Sequence, residues 1–390
     1  MREAVIVEAI RTPIGKKAGK LSGWHPVDLL AEVLNKVVER TGIDPALVED
    51  NITGCVSQTG EQGINIARNA WLAAGLPEEV PAVTIDRQCG SSQQAAHFAA
   101  QGVMAGVYDL VIASGVENMT RVPMGVTASQ GPGFPFPESL MNRYEGGLVP
   151  QGVSAEIIAE RWDLSRQQLD EFGLRSHELA AKATDDGKFQ NEITPIKVDG
   201  ENGTEVFEQD EGIRRGSTVE KMGALPAPFK ENGVVSAGNS SQISDGASAI
   251  VIASREKAEE LGLTPRARFL AFSLAGVDPI TMLTGVIPST QKVLAKANLK
   301  LEDIDVVEIN EAFASVVLSW KKELEIPDEW FEKNVNPNGG AIAIGHPLGA
   351  SGARLMATLL NELERREARF GLQTMCEGGG VSNATIIERL

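Results

Sequence analysis

The stretch around which this chain is organised reads Asn338-Gly339-Gly340-Ala341-Ile342-Ala343-Ile344-Gly345-His346-Pro347-Leu348-Gly349-Ala350-Ser351-Gly352. Five of its residues are glycine, and His346 is one of only four histidines in the chain. Glycine lets a backbone turn tightly and lets another surface approach closely. Leucines at helical spacing follow directly, at Leu355, Leu359, Leu360 and Leu363. The stretch therefore predicts a loop that presents a histidine beside a helix, although an ordinary glycine-rich surface turn fits the same residues.

The bulk composition sets limits on the possible partners. The chain has 390 residues, of which 42% are hydrophobic, enough for a large core in roughly two or three domains. Its net charge of −17 argues against a nucleic-acid surface, so an anionic ligand needs local basic groups. There is no signal-peptide pattern and no apolar run long enough to span a bilayer. We expect a cytoplasmic protein with no nucleic-acid or membrane partner.

The three cysteines, Cys55, Cys89 and Cys376, lie far apart and form no C-x-x-C pair. A disulfide framework or a zinc site is therefore not expected. A free buried cysteine is usually a small hydrophobic residue. Cys89 differs because it lies between a strand pattern and a helix pattern, where backbone N–H groups favour a thiolate. A thiolate near a histidine is an activated nucleophile.

Strand and helix patterns alternate in both halves of the chain. The first half predicts strands at 4–9, 51–56, 81–85 and 109–114, with a helix over 26–41. Residues 246–271 return to this pattern with a strand at 249–253, and residues 272–390 predict strands at 305–309, 371–376 and 381–388, with a helix near 289–297. This alternation favours an α/β layer with a parallel or mixed sheet.

The two halves also look weakly repeated. In each, a loop carrying Cys89 or His346 opens a helix that leads to a strand. A duplication would place both loops where ligands bind in such folds, near the carboxyl ends of strands. A chance likeness of two α/β segments fits the same pattern.

Residues 120–245 differ in character. They include Gly131-Pro132-Gly133-Phe134-Pro135-Phe136-Pro137, which excludes regular structure there. A helix over 165–182, capped by Ser165, is the main regular pattern in this region. We interpret the region as a long inserted cap rather than an independent core.

Two further motifs follow predicted strands. Asn310-Glu311-Ala312-Phe313-Ala314 suits the rim of a site, but also an ordinary helix cap. Cys376-Glu377-Gly378-Gly379-Gly380 lies between two strands, and its glycines leave N–H groups free to face a ligand, as an oxyanion hole requires. A hairpin turn with a buried cysteine is the alternative.

With these motifs in this order, the whole chain resembles the thiolase family. The resemblance rests on Cys89-Gly90-Ser91-Ser92 and on residues 310–314, 339–352 and 376–380. It implies a duplicated five-layer α-β-α-β-α fold with an inserted loop domain. Residues 1–119 and 246–271 would form the N-terminal α/β half with the nucleophile, residues 120–245 the CoA-binding loop domain, and residues 272–390 the C-terminal half.

The resemblance also implies an acyltransferase with ping-pong chemistry. Cys89 attacks a thioester or 3-keto carbonyl and holds the acyl group, and His346 takes the Cys89 proton. Cys376 is the second acid/base. Asn310 orients a water in one oxyanion hole, and the backbone N–H groups of Cys89 and Gly378 form the other.

Coenzyme A and acyl-CoA are expected as substrates, with no permanently bound cofactor and no metal. The positions that match the family's CoA contacts are Arg214, Phe229, Ala237, Ser241 and Phe313. A local basic set could meet the nucleotide phosphates, although solvated charge explains its lysines equally well; it comprises Arg214, Arg215, Lys221 and Lys230. The resemblance also implies a homodimer or homotetramer.

The substrate expectation rests on departures within the family. Pro150-Gln151-Gly152 replaces the His-Met pair that shapes the short-acyl pocket of biosynthetic acetoacetyl-CoA thiolases. Several stretches resemble actinobacterial thiolases that cleave steroid side chains, namely residues 60–62, 71–77, 93–95, 241–247 and 303–320. We therefore predict degradative cleavage of a medium, branched or bulky 3-ketoacyl-CoA, as in fatty acid beta-oxidation.

Three alternatives stay open at this point. A biosynthetic acetoacetyl-CoA thiolase shares all the motifs, and an inactive thiolase-like lipid or CoA carrier shares the fold. A ketoacyl synthase or chalcone-synthase-like enzyme shares a Cys–His pair but needs no second catalytic cysteine, so Cys376 favours thiolysis.

Overall fold

A computed structural model describes residues 2–200 and 203–390. Residue 1 of the predicted N-terminal half and residues 201–202 of the predicted loop domain lie outside the described residues. Within the described ranges, no helix is both long enough and apolar enough to cross a membrane.

The described residues form strands and helices in alternation. The strands are β1 Ala4–Arg11, β2 Gly15–Lys16, β3 Asn51–Gly54, β4 Ala82–Ile85, β5 Leu110–Asn118, β6 Ile196–Gly200, β7 Gly203–Phe207, β8 Ser244–Ser254, β9 Ala267–Gly276, β10 Val306–Ile309, β11 Phe370–Glu377 and β12 Val381–Arg389. The helices are α1 Pro26–Thr41, α2 Ile66–Ala73, α3 Ser91–Met104, α4 Val126–Ser129, α5 Glu138–Met141, α6 Gln151–Arg161, α7 Arg166–Asp185, α8 Val219–Gly223, α9 Arg255–Glu260, α10 Val286–Ala297, α11 Ala314–Glu323, α12 Asp328–Asn334, α13 Ala341–Ile344 and α14 Ser351–Arg365.

The strand order shows that the two halves are copies of one topology. The main sheet runs β10-β11-β12-β9-β1-β8-β5-β3-β4, with β2 paired to β8. In the first half β4 and β5 flank β3 in parallel, and β8 and β1 continue antiparallel. In the second, β11 lies parallel to β10, and β12 and β9 continue antiparallel. A bridge from Val335 to Val307 takes the place of β4.

Helices separate the two half-sheets into layers. Helices α3 and α14 pack against each other and lie between the half-sheets, while α1 and α2 cover the outer face of the first and α10 that of the second. Three buried apolar clusters correspond to these interfaces. The half-sheets join at one edge, where β1 pairs with β9 over Val5 and Ile6. The expected duplicated five-layer α-β-α-β-α fold is confirmed.

Small residues bring the central helices together. A Cβ added to Gly352 of α14 would lie 2.2 Å from the backbone nitrogen of Gln93 in α3. A Cβ on Gly115 of β5 would lie 2.3 Å from the Gly349 carbonyl oxygen. Backbone packed this closely against backbone cannot yield much space. Glycine at these positions therefore fixes the loops that precede α3 and α14.

Several local expectations are confirmed. The helix over 26–41 is α1, and Gly42 ends it with φ 66°, a left-handed conformation that favours glycine. Ser165 caps α7 through a capping box with Gln168. Helix α7 extends three residues further than predicted. Strands β5 and β8 also extend beyond their predicted bounds, because buried serines, glycines and acids continue them.

The loop region contains more helix than the sequence suggested. Helix α6 was not predicted, and Ala155, Ile158 and Ala159 on it join the apolar cluster of the C-terminal sheet. The predicted boundary after residue 271 also falls within β9, which pairs along its length with β12. We propose that the C-terminal half begins at β9, because a strand cannot be divided without breaking this ladder.

Candidate active site

The loops before α3 and α14 open into one cavity of about 730 Å³ between the loop region and the core. Both Cys89 and His346 line it. So do all five positions predicted to contact CoA, namely Arg214, Phe229, Ala237, Ser241 and Phe313. Residues far apart in the sequence therefore share one cavity, as the sequence predicted for these seven positions.

Cys89 ends a strained turn. The preceding residue, Gln88, has φ 48°, which a residue with a side chain rarely adopts. Burial is the main cause that raises the pKa of the Cys89 thiol well above its ordinary value, and a negative charge at Glu377 would raise it further; the backbone N–H groups of Gly378 and Cys89 and the Gln151 side chain lower it. In the resting state Cys89 is therefore a thiol, and it needs a base to become a nucleophile.

His346 has the properties of that base. Its Nδ1 lies 2.5 Å from Ser351 Oγ, and this hydroxyl donates to the Pro347 carbonyl oxygen at 2.8 Å. Because Ser351 gives its one proton to Pro347 and the Asn310 Nδ2 donor lies 3.3 Å from Nε2, we assign the ring proton to Nδ1 and the basic lone pair to Nε2. Burial, with a smaller contribution from Arg354, lowers the pKa of His346 to about 3, so the ring is neutral at pH 7.

Cys376 lies at the end of β11 and is fully buried. Burial raises the pKa of its thiol well above the ordinary range, and the nearby Cys89 adds to the increase. The Asn310 side chain acts against this effect by hydrogen bonding to the sulfur. Like Cys89, Cys376 therefore holds its proton at neutral pH.

Asn310 connects the two halves of the constellation. Its Nδ2 lies 3.3 Å from His346 Nε2, and its side chain also reaches Cys376. Its Oδ1 is buried and has no hydrogen-bond partner among the described residues. Together with the Gly378 N–H beside Cys89, the amide supplies hydrogen-bond donors to the same small volume. Fixed donors of this kind stabilise a developing oxyanion.

The structure thus brings together all five predicted catalytic positions. Asn310, Cys376 and Gly378 do not line the cavity itself, but each lies close to Cys89 or His346. Of the predicted basic set only Arg214 lines the cavity. Arg215 and Lys230 form ion pairs with Asp185 and Glu160 instead.

Sequence reasoning missed several residues near the site. Lys17 and Met119 line the cavity, Ser351 orients His346, and Gln151 contacts Cys89. Lys17 belongs to a pair of lysines after β1, which was a usable signal in so acidic a chain. The role of Ser351 had no signal, because a serine at the start of a helix is common for other reasons.

Comparisons with known proteins identify the family. The family model for the thiolase N-terminal domain matches residues 4–256, and that for the thiolase C-terminal domain matches residues 263–389. The chain belongs to the thiolase family. This thiolase is therefore an acyltransferase, and the family resemblance drawn from the four motifs is confirmed.

Named relatives cover the whole chain. This thiolase is 50% identical over 396 residues to the steroid 3-ketoacyl-CoA thiolase FadA6 of Mycobacterium tuberculosis, covering 100% of this chain and 95% of that protein. It is 46% identical to the 3-ketoacyl-CoA thiolase of Photobacterium profundum, with all of both chains covered. The crystal structure of the Bacillus anthracis acetyl-CoA acetyltransferase matches with a TM-score of 0.91 and 40% identity, over 100% and 99% of the two chains.

Proposed function

We propose that this thiolase uses CoA to cleave a 3-ketoacyl-CoA into acetyl-CoA and a shortened acyl-CoA, with the acyl group held on Cys89. The observation that carries the proposal is that Cys89 and His346 line one cavity while the buried Cys376 lies close to Cys89. The resting protonation states, two thiols and a neutral imidazole, are those with which such a reaction must begin.

In the first half-reaction His346 Nε2 takes the proton of the Cys89 thiol, and the sulfur bonds to the 3-keto carbon. The bond between C2 and C3 of the substrate then breaks, which leaves the acyl group on Cys89 as a thioester. The released electron pair forms the enolate of acetyl-CoA, and its C2 takes the proton of Cys376. Separating the reaction into two displacements is the usual benefit of a covalent intermediate.

In the second half-reaction a new CoA molecule gives its thiol proton to the Cys376 thiolate. The CoA sulfur attacks the acyl carbon, and the Cys89 sulfur leaves and regains the proton held by His346. The three side chains return to their initial states. Every proton taken up in the first half-reaction is therefore released in the second.

The developing oxyanions need fixed donors. We assign one to the backbone N–H groups of Cys89 and Gly378, which already contact the Cys89 sulfur. We assign the other to the Asn310 amide and His346, whose nitrogens lie 3.3 Å apart. Loss of one such donor typically lowers kcat by about a hundredfold or more.

For the acyl group we propose a medium, branched or bulky chain in a degradative, beta-oxidation role. Apolar side chains line the cavity, including Met119, Met124 and Leu348, and Met119 and Leu348 pack in one cluster with Cys89. Gln151 and Gly152 stand where biosynthetic thiolases have the His-Met pair that shapes a short-acyl pocket. A Cβ on Gly152 would lie 2.2 Å from the Phe229 ring. The 50% identity to a relative named as a steroid thiolase adds support.

The substrate test is a comparison of kcat/KM for acetoacetyl-CoA with kcat/KM for longer and branched 3-ketoacyl-CoA thioesters. We expect a preference for the longer substrates. A strong preference for acetoacetyl-CoA would instead support the biosynthetic alternative. Equal rates for all chain lengths would contradict both assignments of the pocket.

The test of the chemistry is a single turnover with radioactive acyl-CoA. We expect label on Cys89 in the native protein and none in the Cys89→Ala variant, while Cys55→Ala, which alters a buried cysteine outside the cavity, keeps the label. An unlabelled native protein would support an inactive lipid or CoA carrier.

For CoA we propose the face that carries Arg214, Phe229, Ala237, Ser241 and Phe313, together with Lys17. The rings of Phe229 and Phe313 meet edge to face, with centroids 6.3 Å apart. Lys17 has an exposed side chain and forms no ion pair among the described residues, so it is free to meet an anionic group of CoA. The site needs such cations because the chain is acidic overall.

We also propose a homo-oligomer in the cytoplasm. Among the described strands, β4 lies at one edge of the sheet and pairs only with β3; its Val83 is half-exposed, and nearby Ile64 is 93% exposed. An exposed apolar edge strand favours pairing with another chain. Sedimentation should give a dimer or tetramer that Val83→Lys dissociates, and cell fractionation tests the location.

A further inference from the structure

The residue between Cys376 and Gly378 is an acid, Glu377, and the proposed reaction does not use it. Both of its carboxyl oxygens are buried and neither has a hydrogen-bond partner among the described residues. An ionised carboxylate in such a place is very unfavourable unless donors or a cation compensate it. The position of Glu377 at the end of β11 does not by itself explain how its buried carboxyl group is stabilised.

A second unpartnered oxygen lies beside it. Asn383 Oδ1 is also buried without a partner, while Asn383 Nδ2 donates to the Gly90 carbonyl oxygen at 3.1 Å. Asn383 pairs with Met375 across the β11–β12 ladder, so it lies diagonal to Glu377 on the same face. A Cβ on Gly90 would lie 1.9 Å from Glu377 Oε1 and 2.9 Å from Asn383 Oδ1. Two acceptors thus face the same small space.

One proton satisfies both groups. A carboxylic acid has an O–H donor as well as acceptor capacity, and the amide oxygen can accept it. We propose that Glu377 is a positioning residue that stays protonated and donates to Asn383 Oδ1, so that Asn383 in turn holds the Gly90 carbonyl and the nucleophile loop. This proposal rests on the proposed function, because the loop it positions is the one that carries Cys89.

The charged neighbours agree with a neutral acid. Burial is the main cause that raises the pKa of Glu377 well above its ordinary value. Arg87 lowers it and Asp86 raises it, and both belong to the loop before α3. Neither side chain hydrogen-bonds to the Glu377 carboxyl group among the described contacts. The thiols of Cys89 and Cys376 complete the titratable groups nearby, and both hold their protons at neutral pH.

Neutrality of Glu377 also matters for Cys89. A negative charge at Glu377 raises the pKa of both cysteine thiols. Ionisation would thus oppose formation of the thiolate and break the donor to Asn383 at the same time. The proposal predicts that activity falls on the alkaline side when Glu377 loses its proton.

The test compares Glu377→Gln with Glu377→Ala and Asn383→Ala. Glutamine retains a donor for Asn383 Oδ1, so we expect kcat/KM within about twofold of the native value at pH 7 and no alkaline loss due to this residue. Glu377→Ala and Asn383→Ala should each lose about tenfold in kcat, the effect of one hydrogen bond, and the double variant should lose no more than either.

An infrared difference spectrum of native protein minus folded Glu377→Gln reports the protonation state directly, whatever the substitution does to the rate. We expect a carboxylic-acid C=O band in the native protein at pH 7. A carboxylate band instead, or faster alkylation of Cys89 in Glu377→Gln at pH 7, would overturn the proposal. Failure of the proposed function would differ, because the native protein would then lack thiolysis while the infrared band remained.

Discussion

The orientation of His346 by Ser351 leads to a sharp prediction for Ser351→Ala. The substitution removes the acceptor of the Nδ1–H, but the Pro347 carbonyl keeps two backbone donors, at 3.0 and 3.1 Å. The only group left unpaired is therefore the buried ring nitrogen of His346. Leaving a buried donor unpaired costs about 1–3 kcal/mol.

The cost acts on catalysis through the tautomer. In the variant the imidazole can move its proton to Nε2, where the unpartnered Asn310 Oδ1 can accept it after a rotation of the amide. That tautomer cannot take the Cys89 proton. At about 1.4 kcal/mol for each factor of ten, kcat should fall roughly fivefold to 150-fold. KM should change little, because Ser351 does not line the cavity.

The assays are thiolysis kinetics and nitrogen NMR of the labelled histidines, of which the chain has only four. Ser319→Ala is the matched control, because among the residues that the structure describes that buried hydroxyl bonds only to the Val316 carbonyl of its own helix. Ser351→Thr, which restores a hydroxyl, should recover part of the rate. A native spectrum with the proton of His346 on Nε2, or an unchanged kcat in a folded Ser351→Ala variant, would refute the reasoning.

Three further predictions concern packing, acid stability and CoA binding. Gly352→Ala should lower the free energy of unfolding by about 1–3 kcal/mol or more, because its Cβ would lie 2.2 Å from the backbone nitrogen of Gln93. The control Gly276→Ala places its Cβ in open space and should leave the unfolding free energy, measured by calorimetry, nearly unchanged. Burial lowers the pKa of His97 to about 3, so below about pH 6.5 the unfolded chain binds a proton that the folded chain does not. The free energy of unfolding should therefore decrease as the pH falls below this value, and denaturant titrations of His97→Gln should show a smaller decrease. Arg214→Gln should raise KM for CoA severalfold and leave KM for pantetheine thioesters unchanged, whereas Lys221→Gln, outside the cavity, should change neither. Equal effects of Arg214→Gln on both KM values would contradict a contact with the nucleotide.

The sequence predicted the fold well wherever apolar periodicity and end signals agree. Helix α1 has its predicted bounds because Pro26 begins it and Gly42 ends it in a left-handed conformation. Helix α6 was missed because its buried face belongs to the core of another region, which no local pattern reveals. The helix offers only a short run of apolar residues at helical spacing, and the glycine in its first turn argues against a helix.

The same difference holds for the site. Cys89, His346 and Cys376 could be found because reactive side chains in glycine-rich loops are unusual and occur here in the order typical of one family. The role of Ser351 and the unpaired state of Glu377 depend on which atoms face them in space. Such information arises only after α3, α14 and β11 have packed together.

The close crossing of α3 and α14 has a consequence for how heat inactivates this molecule. One helix follows Cys89, the other follows His346, and each comes from a different copy of the duplicated unit. A small movement of α3 relative to α14 would change the distance between the Cys89 sulfur and the His346 imidazole without unfolding either copy. On heating, turnover should therefore be lost at a lower temperature than the one at which the chain unfolds cooperatively.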